Sequence, residues 1–355
     1  MTPSLHAMAW MAWLLAIMVV LTTTRNPLYM GLVLLWIAVV GRVVTRLALA
    51  DEQPAPVLSP VRFGLFAVAV SALFNALTVH IGSSVLFALP AAIPLLGGIV
   101  TLEAMIYGAL NGVVLAGLFA AFSVINRAVP VRSLIRIIPR AYYSVAVVVA
   151  IAITFVPATI RQLHQIREAQ MIRGLQVRGV RGWAPLFVSL LTGGMERALQ
   201  LAEAMVARGF ASGEVRAATT LLRMAALGGL MTLVAGWLLR LVWNQHTAGL
   251  LLMVAGAALI LGALWTIGRR RRHTTYRPEP WRIRDSVVVA GSLLAAAGFW
   301  IAWPGAVRAS IYYYPYPKLL APTFSPLLAL TLCGLLAPAL ALTGHGWRWL
   351  LVRHD

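Results

Sequence analysis

The chain has 355 residues, of which 61% are hydrophobic and only 11% charged. A soluble domain carries about 25% charged residues. So few charges cannot cover a water-facing surface of this size, which excludes a soluble globule and makes lipid the missing solvent. The formal net charge of +19 comes almost entirely from arginine, Lys318 being the one lysine. In so apolar a chain, basic loops that orient membrane spans account for this charge better than nucleic-acid binding does.

A bilayer core takes about 20 apolar residues per helix. In chain order the sequence predicts spans at 8–23, 28–47, 63–78 and 104–125, then at 219–239, 249–267, 287–303 and 327–343. The first stretch has no basic region before it and no small-residue cleavage pattern after it. It reads as a retained span rather than a signal peptide. The expected fold is an all-α integral membrane protein with about eight transmembrane helices.

Arginine placement sets the expected orientation, because short cytoplasmic loops collect it. Arg42, Arg46 and Arg62 put the second loop inside, and the loop 79–102 has no Lys or Arg and is placed outside. Arg269–Arg272 mark another inside loop, and Arg348 and Arg353 put the C-terminus inside with the N-terminus. Arg25, Arg240, Arg308 and Lys318 fall on outside ends as a minority. Trp243, Trp300, Trp303 and Trp347 stand near span ends as interface anchors.

One region resists an up-and-down reading. Arg127, Arg132, Arg136 and Arg140 precede an apolar run at 142–157, and Arg161, Arg167, Arg173, Arg178 and Arg181 follow it. If the run crossed the bilayer, one arginine cluster would lie outside and every later span would invert. The simpler expectation keeps 128–217 on the cytoplasmic side, its apolar run lying along or dipping into the interface or packing under other helices. This divides the chain into a membrane part at 1–127, a cytoplasmic-side region at 128–217, and C-terminal membrane helices at 218–355. Within the middle region, 185–208 reads as an amphipathic helix with Phe187, Leu191, Met195, Leu199, Ala202 and Val206 at helical spacing. Pro185 suits its start and Gly209 its stop, and the preceding helix ends likewise in Gly174.

The same region holds a short repeat. Shifting 165–174 by 35 residues aligns Gln165 with Gln200, Glu168 with Glu203, Ala169 with Ala204, Arg173 with Arg208 and Gly174 with Gly209. Helix capping explains each Arg-Gly end, since glycine supplies the left-handed cap and arginine complements the dipole. It explains less well why the upstream Gln, Glu and Ala agree too. The other reading is a pair of coupling helices. Each end is stiff, small residues permit close approach, and an arginine offers bidentate bonds to a partner's carboxylates or carbonyls.

Ala169-Gln170-Met171-Ile172-Arg173-Gly174 and Ala204-Met205-Val206-Ala207-Arg208-Gly209-Phe210 resemble the paired Ala-Arg-Gly signatures of the T component of energy-coupling factor (ECF) transporters. That family includes the transmembrane Q-type subunit of cobalt importers. Phe155-Val156-Pro157, Arg197-Ala198, and a stretch with Thr101, Glu103 and Gly108 extend the likeness over roughly residues 1–240. The resemblance implies a cytoplasmic-side pair of long coupling helices docking into two ABC-type ATPase subunits and carrying a membrane-embedded, substrate-binding S component. ATPase closure would move the helices, so that the S component releases a vitamin or metal ion inward. It further implies ATPase docking by Arg173, Gly174, Ala207, Arg208 and Gly209, supported by Gln165, Glu168, Ala169, Gln200, Glu203 and Ala204. The expected setting is a bacterial or archaeal cell membrane. The chain departs from the pattern in having Ile172 before the first arginine, in the extra pairs Arg178-Gly179 and Arg181-Gly182, and in residues 245–355, which exceed the family core.

The remaining signals narrow the chemistry. The one lysine, in Tyr-Pro-Lys-Leu, makes no P-loop, so energy is expected from partners. Cys333 sits alone in an apolar run, and the seven histidines have no ligand spacing, so no catalytic site, metal or cofactor is expected. Glu103 reads as a helix-start or structural residue. An ordinary ABC permease is the alternative: Glu168-Ala169-Gln170 through Gly174 resembles the start of its coupling loop. Its second half fails at 184–187, which read Ala-Pro-Leu-Phe. A membrane-embedded enzyme would need converging catalytic groups, and none assemble.

Overall fold

The structure is a computed structural model that describes residues 5–48, 58–89, 98–138, 142–174, 183–210, 220–270, 280–301, 306–317 and 319–343. In chain order its elements are α1 (Ala7–Thr23), α2 (Pro27–Ala48), α3 (Pro60–Thr78), β1 (Val85–Leu89), β2 (Gly98–Thr101), α4 (Leu102–Ala128) and α5 (Val131–Ile135). Then come α6 (Tyr143–Ile172), α7 (Ala184–Ala207), α8 (Thr220–Val242), α9 (His246–Arg270), α10 (Ile283–Trp300) and α11 (Ala306–Ile311). α12 (Pro326–Leu332) and α13 (Ala337–Thr343) are joined by a 3-10 turn, Cys333–Leu336. The protein is an all-α, multi-pass membrane protein. Eight helical segments among the described residues are long and apolar enough to cross a bilayer.

The set of eight is not identical to the expected one. α1, with 17 residues and about 26 Å of helix, lies at the short end of the spanning range and is not among them. α6, which runs unbroken for 30 residues through Pro157, is long and apolar enough to be among them. The apolar run 142–157 and the first Arg-Gly helix are therefore one rod. The loop 79–102 also holds more than loop: β1 and β2 pair antiparallel, with Val85 opposite Thr101 and Leu89 opposite Gly98.

Two compact units emerge. One comprises Met1–Leu134 with Arg277–Asp355, the other Ile135–Tyr276. In the first, α1 is apolar all round, and such a helix is buried rather than amphipathic. Trp10, Trp13, Ile17 and Leu21 are almost wholly buried against neighbours that include α10, α4 and the 3-10 turn. The Trp13 indole N–H donates to Leu335 O at 2.9 Å. The start of α1 is tied to α10 where His6 N–H donates to the Asp285 carboxylate at 2.7 Å. The α1–α2 turn is tied to the C-terminal stretch, with Asn26 Nδ2 donating to Ser310 O at 2.8 Å and Thr323 O at 2.7 Å. The helices α10, α12 and α13 thus share one core with the N-terminal helices.

Small residues set the closest helix contacts. A Cβ at Gly108 would come within 2.5 Å of Ser71 O, and one at Gly112 within 2.5 Å of Val68 Cα, so the four-residue glycine spacing brings α4 against α3. In the second unit, Gly229 faces Gly256 and Gly236 faces Gly249, which sets the antiparallel register of the α8–α9 hairpin. A Cβ at Gly236 would sit 2.7 Å from Gly249 O.

The start of α4 bears out the helix-start reading of Glu103. Thr101 caps the helix, accepting the Ala104 N–H at 3.4 Å. Glu103 is fully buried and accepts from Ser83 N–H at 3.1 Å, Ser83 Oγ at 3.0 Å and Ser84 N–H at 3.0 Å. It anchors the preceding loop to the helix.

Candidate functional site

The two Arg-Gly ends lie on α6 and α7, which pack against each other. Each helix stops in the same way. Arg173 is the C-cap of α6 at φ −79° and ψ 6°, and Arg208 is the C-cap of α7 at φ −85° and ψ 8°. The following glycines take the left-handed conformation, Gly174 at φ 78° and Gly209 at φ 75°. Only glycine adopts it without a Cβ penalty. Gly174 N–H donates to Met171 O at 3.0 Å and Gly209 N–H to Val206 O at 2.9 Å. At the second end Phe210 N–H also donates to Met205 O at 2.9 Å, completing the two-bond Schellman pattern. The 35-residue repeat is therefore a repeat of conformation as well as of sequence.

Burial separates capping from the rest of the motif. Gln165, Glu168, Ala169, Arg173 and Gly174 are all exposed, and so are Gln200, Glu203, Ala204, Arg208 and Gly209. Offsets of 0, 3, 4 and 8 put the four side-chain positions on one face of each helix. Ala207, too, is exposed. Among the described residues neither Arg173 nor Arg208 has a hydrogen bond or ion pair through its guanidinium. The repeated residues are exposed rather than part of a core, so burial does not require their agreement. Arg178-Gly179 and Arg181-Gly182 lie outside the described residues, as do Lys318, Arg348 and Arg353.

The apolar face of α7 turns outward. Phe187, Leu191, Met195, Leu199 and Val206 are 56–70% exposed, together with Val188. The less exposed face carries Leu186, Leu190, Gly193, Arg197, Leu201 and Met205. An ordinary amphipathic helix would bury the larger apolar stripe. Among the described residues this one leaves it exposed.

Sequence reasoning missed the contact that joins the two helices. Gly193 lies so close to the Gln162 side chain that a Cβ there would collide with the Gln162 amide, whereas Gly194 has nothing within 4 Å. Gln162 Oε1 and Gln170 Oε1 are buried without a hydrogen-bond partner. Adjacent glycines inside a helix cost about 1 kcal/mol each relative to alanine, and that cost was the available signal.

These features define a class: an all-α, multi-pass membrane protein that presents two like-capped helix ends and an uncovered apolar helix face. No protein-family model matches the chain. Within this class it is similar to the energy-coupling factor transporter transmembrane protein EcfT of Leuconostoc gelidum subsp. gasicomitatum, with 37% identity over 71 residues, 18% of this chain and 26% of that protein. It is also similar to EcfT of Bacillus subtilis, with 34% identity over 80 residues, 21% of this chain and 30% of that protein. The chain spans between a quarter and a third of the length of the curated relatives it matches. The resemblance to the transmembrane T component thus has a counterpart in proteins of that name.

Proposed function

We propose that this chain is the transmembrane coupling subunit of an ECF-type importer and that it has no catalytic centre of its own. Two ABC-type ATPase subunits take up the helix ends at Arg173-Gly174 and Ala207-Arg208-Gly209. A membrane-embedded S component covers the exposed apolar face of α7. The region 128–217 lies on the cytoplasmic side, both termini are cytoplasmic, and the assembly sits in the cell membrane. ATP hydrolysis in the partners supplies the energy, and the S component determines which vitamin or metal ion is carried.

The observation that carries this reading is the pair of like-capped helix ends. Their arginines are exposed and unengaged among the described residues, and their repeat extends past what capping needs. A guanidinium on a helix end with a glycine behind it fits a groove closely and bonds bidentately to carboxylates.

Affinity purification of the intact chain from its native membrane tests the assignment. Two ABC ATPase subunits, alike or paired, and a small hydrophobic protein co-purify if it is right. Recovery of the chain alone, from membranes in which those proteins are expressed, would sink it.

A further inference from the structure

The run Tyr312-Tyr313-Tyr314-Pro315-Tyr316-Pro317 has no part in the docking reading. It follows α11 without helix, and its prolines lack the N–H that a helix would need. Ser83 N–H donates to Pro317 O at 3.2 Å and ties the run to the loop before α4. Tyr314 and Tyr316 then meet Tyr107 of α4. The ring centroids are 6.1 Å apart for Tyr107 and Tyr314, 5.7 Å for Tyr107 and Tyr316, and 5.3 Å for Tyr314 and Tyr316. The planes are inclined by 66°, 53° and 60° in the same order, so the rings meet edge-to-face or tilted rather than stacked. They border a cavity of about 400 Å³ whose other walls are Asn75, Val79, Ile81 and Pro317.

Geometry and charge select what would fill it. A point about 3 Å off the plane of the three centroids lies about 4.5 Å from each, inside the ~6 Å over which a ring face attracts a cation. Among the described residues the lining includes no arginine or lysine. Lys318, next in the chain, lies outside the described residues. Glu103 stands behind the site, fully buried, and no cation pairs with it among the described residues. Burial chiefly pushes the Tyr316 phenol above its usual range, against the lowering effect of the Asn75 hydrogen bond. A bare ammonium needs several acceptors aimed at its N–H bonds, and the described lining side chains offer only the Asn75 amide oxygen and the three phenol oxygens. The Asn75 amide N–H groups are directed to Ala104 O at 2.5 Å and towards Tyr316 Oη at 3.5 Å. An ammonium whose hydrogens are replaced by methyl groups needs aromatic faces instead.

From this we infer that Tyr107, Tyr314 and Tyr316 form a binding site for an N-methylated ammonium group, carried either by a soluble compound or by a lipid headgroup. The site stands apart from the helix ends at Arg173 and Arg208, and its binding is read without them.

The full chain in detergent is titrated with choline and with its neutral isostere 3,3-dimethylbutan-1-ol, followed by saturation-transfer NMR. Choline binds saturably and at least about tenfold more tightly than the isostere. Tyr314→Phe keeps a ring face and stays within about threefold of the parent. Tyr314→Leu weakens choline by about 3–30-fold, while both variants keep the parent's elution volume and thermal midpoint. Equal affinity for the isostere, unsaturable binding, or equal affinity of the Phe and Leu variants would overturn the assignment. Repeating the titration in phosphatidylglycerol nanodiscs, with and without phosphatidylcholine, separates the two sources. Weaker apparent choline binding in the mixed discs assigns the site to a headgroup, and unchanged binding assigns it to a soluble compound.

Discussion

Replacing both Arg173 and Arg208 with glutamate separates a capping role from a docking role. If the arginines only complement the helix dipoles, each contributes about 0.3–1 kcal/mol, and less for side chains this exposed. The caps themselves rest on the backbones of Gly174 and Gly209, whose N–H groups donate to the Met171 and Val206 carbonyls. Charge reversal counts that contribution twice at each end, so the folded chain loses at most about 4 kcal/mol, which lowers the thermal midpoint by less than about 10 °C in a chain of this size. Docking predicts a different loss. Each end forfeits charge-assisted bonds of about 1.5–3 kcal/mol, and glutamate adds repulsion towards an acidic acceptor. Two ends together exceed about 3 kcal/mol, or roughly 100-fold in association. The assay quantifies ATPase subunits retained on the purified chain and follows thermal unfolding of the same sample. Arg208→Lys, which keeps the charge and loses the fork, retains an intermediate amount. Wild-type retention by the double variant refutes docking, and a midpoint fall of more than about 10 °C places the arginines in the fold instead.

Three other outcomes follow from the packing. Gly236→Leu drives a Cβ against backbone atoms of Gly249 and Met253 that have no room to move, and overpacking of this kind costs about 1–3 kcal/mol or more. Gly262→Leu, with nothing within 4 Å, leaves the unfolding midpoint unchanged, and equal midpoints for the two variants would contradict the hairpin register. Trp13→Phe strips the donor from Leu335 O in a buried setting and lowers stability by about 1–3 kcal/mol, measured by thermal denaturation. In a Cys333→Ser background, single cysteines at 173 and 208 both react with a membrane-impermeant maleimide from the cytoplasmic side. Labelling of position 173 from outside puts α6 across the bilayer and removes the cytoplasmic placement of 128–217.

Local signals carried much of this molecule into the sequence. Both helix stops at Gly174 and Gly209 were legible because a left-handed cap demands glycine, and the structure realises them with matching dihedral angles. The start of α4 was legible in Thr101 and Glu103. What escaped depends on contacts distant in the chain. His6 with Asp285, Asn26 with Ser310 and Trp13 with Leu335 join segments some 280–320 residues apart, and no periodicity announces such pairs. The apolar run 142–157 was read apart from the helix that ends at Gly174, yet α6 continues through Pro157 as 30 residues of one helix. The apolar stripe of α7 was visible as periodicity. Its outward orientation was not, because periodicity gives the face and not what covers it.

The contact between Gln162 and Gly193 has a mechanical consequence. Arg173 lies 11 residues beyond it on α6 and Arg208 lies 15 residues beyond it on α7, arms of about 16 Å and 22 Å for straight helices. A turn of about 10° around that fulcrum carries the Arg208 end through about 4 Å and the Arg173 end through about 3 Å. Two identical pushes at the tips therefore arrive at the fulcrum as unequal torques, the longer arm having the greater leverage. Built from a repeat, the device is nonetheless lopsided.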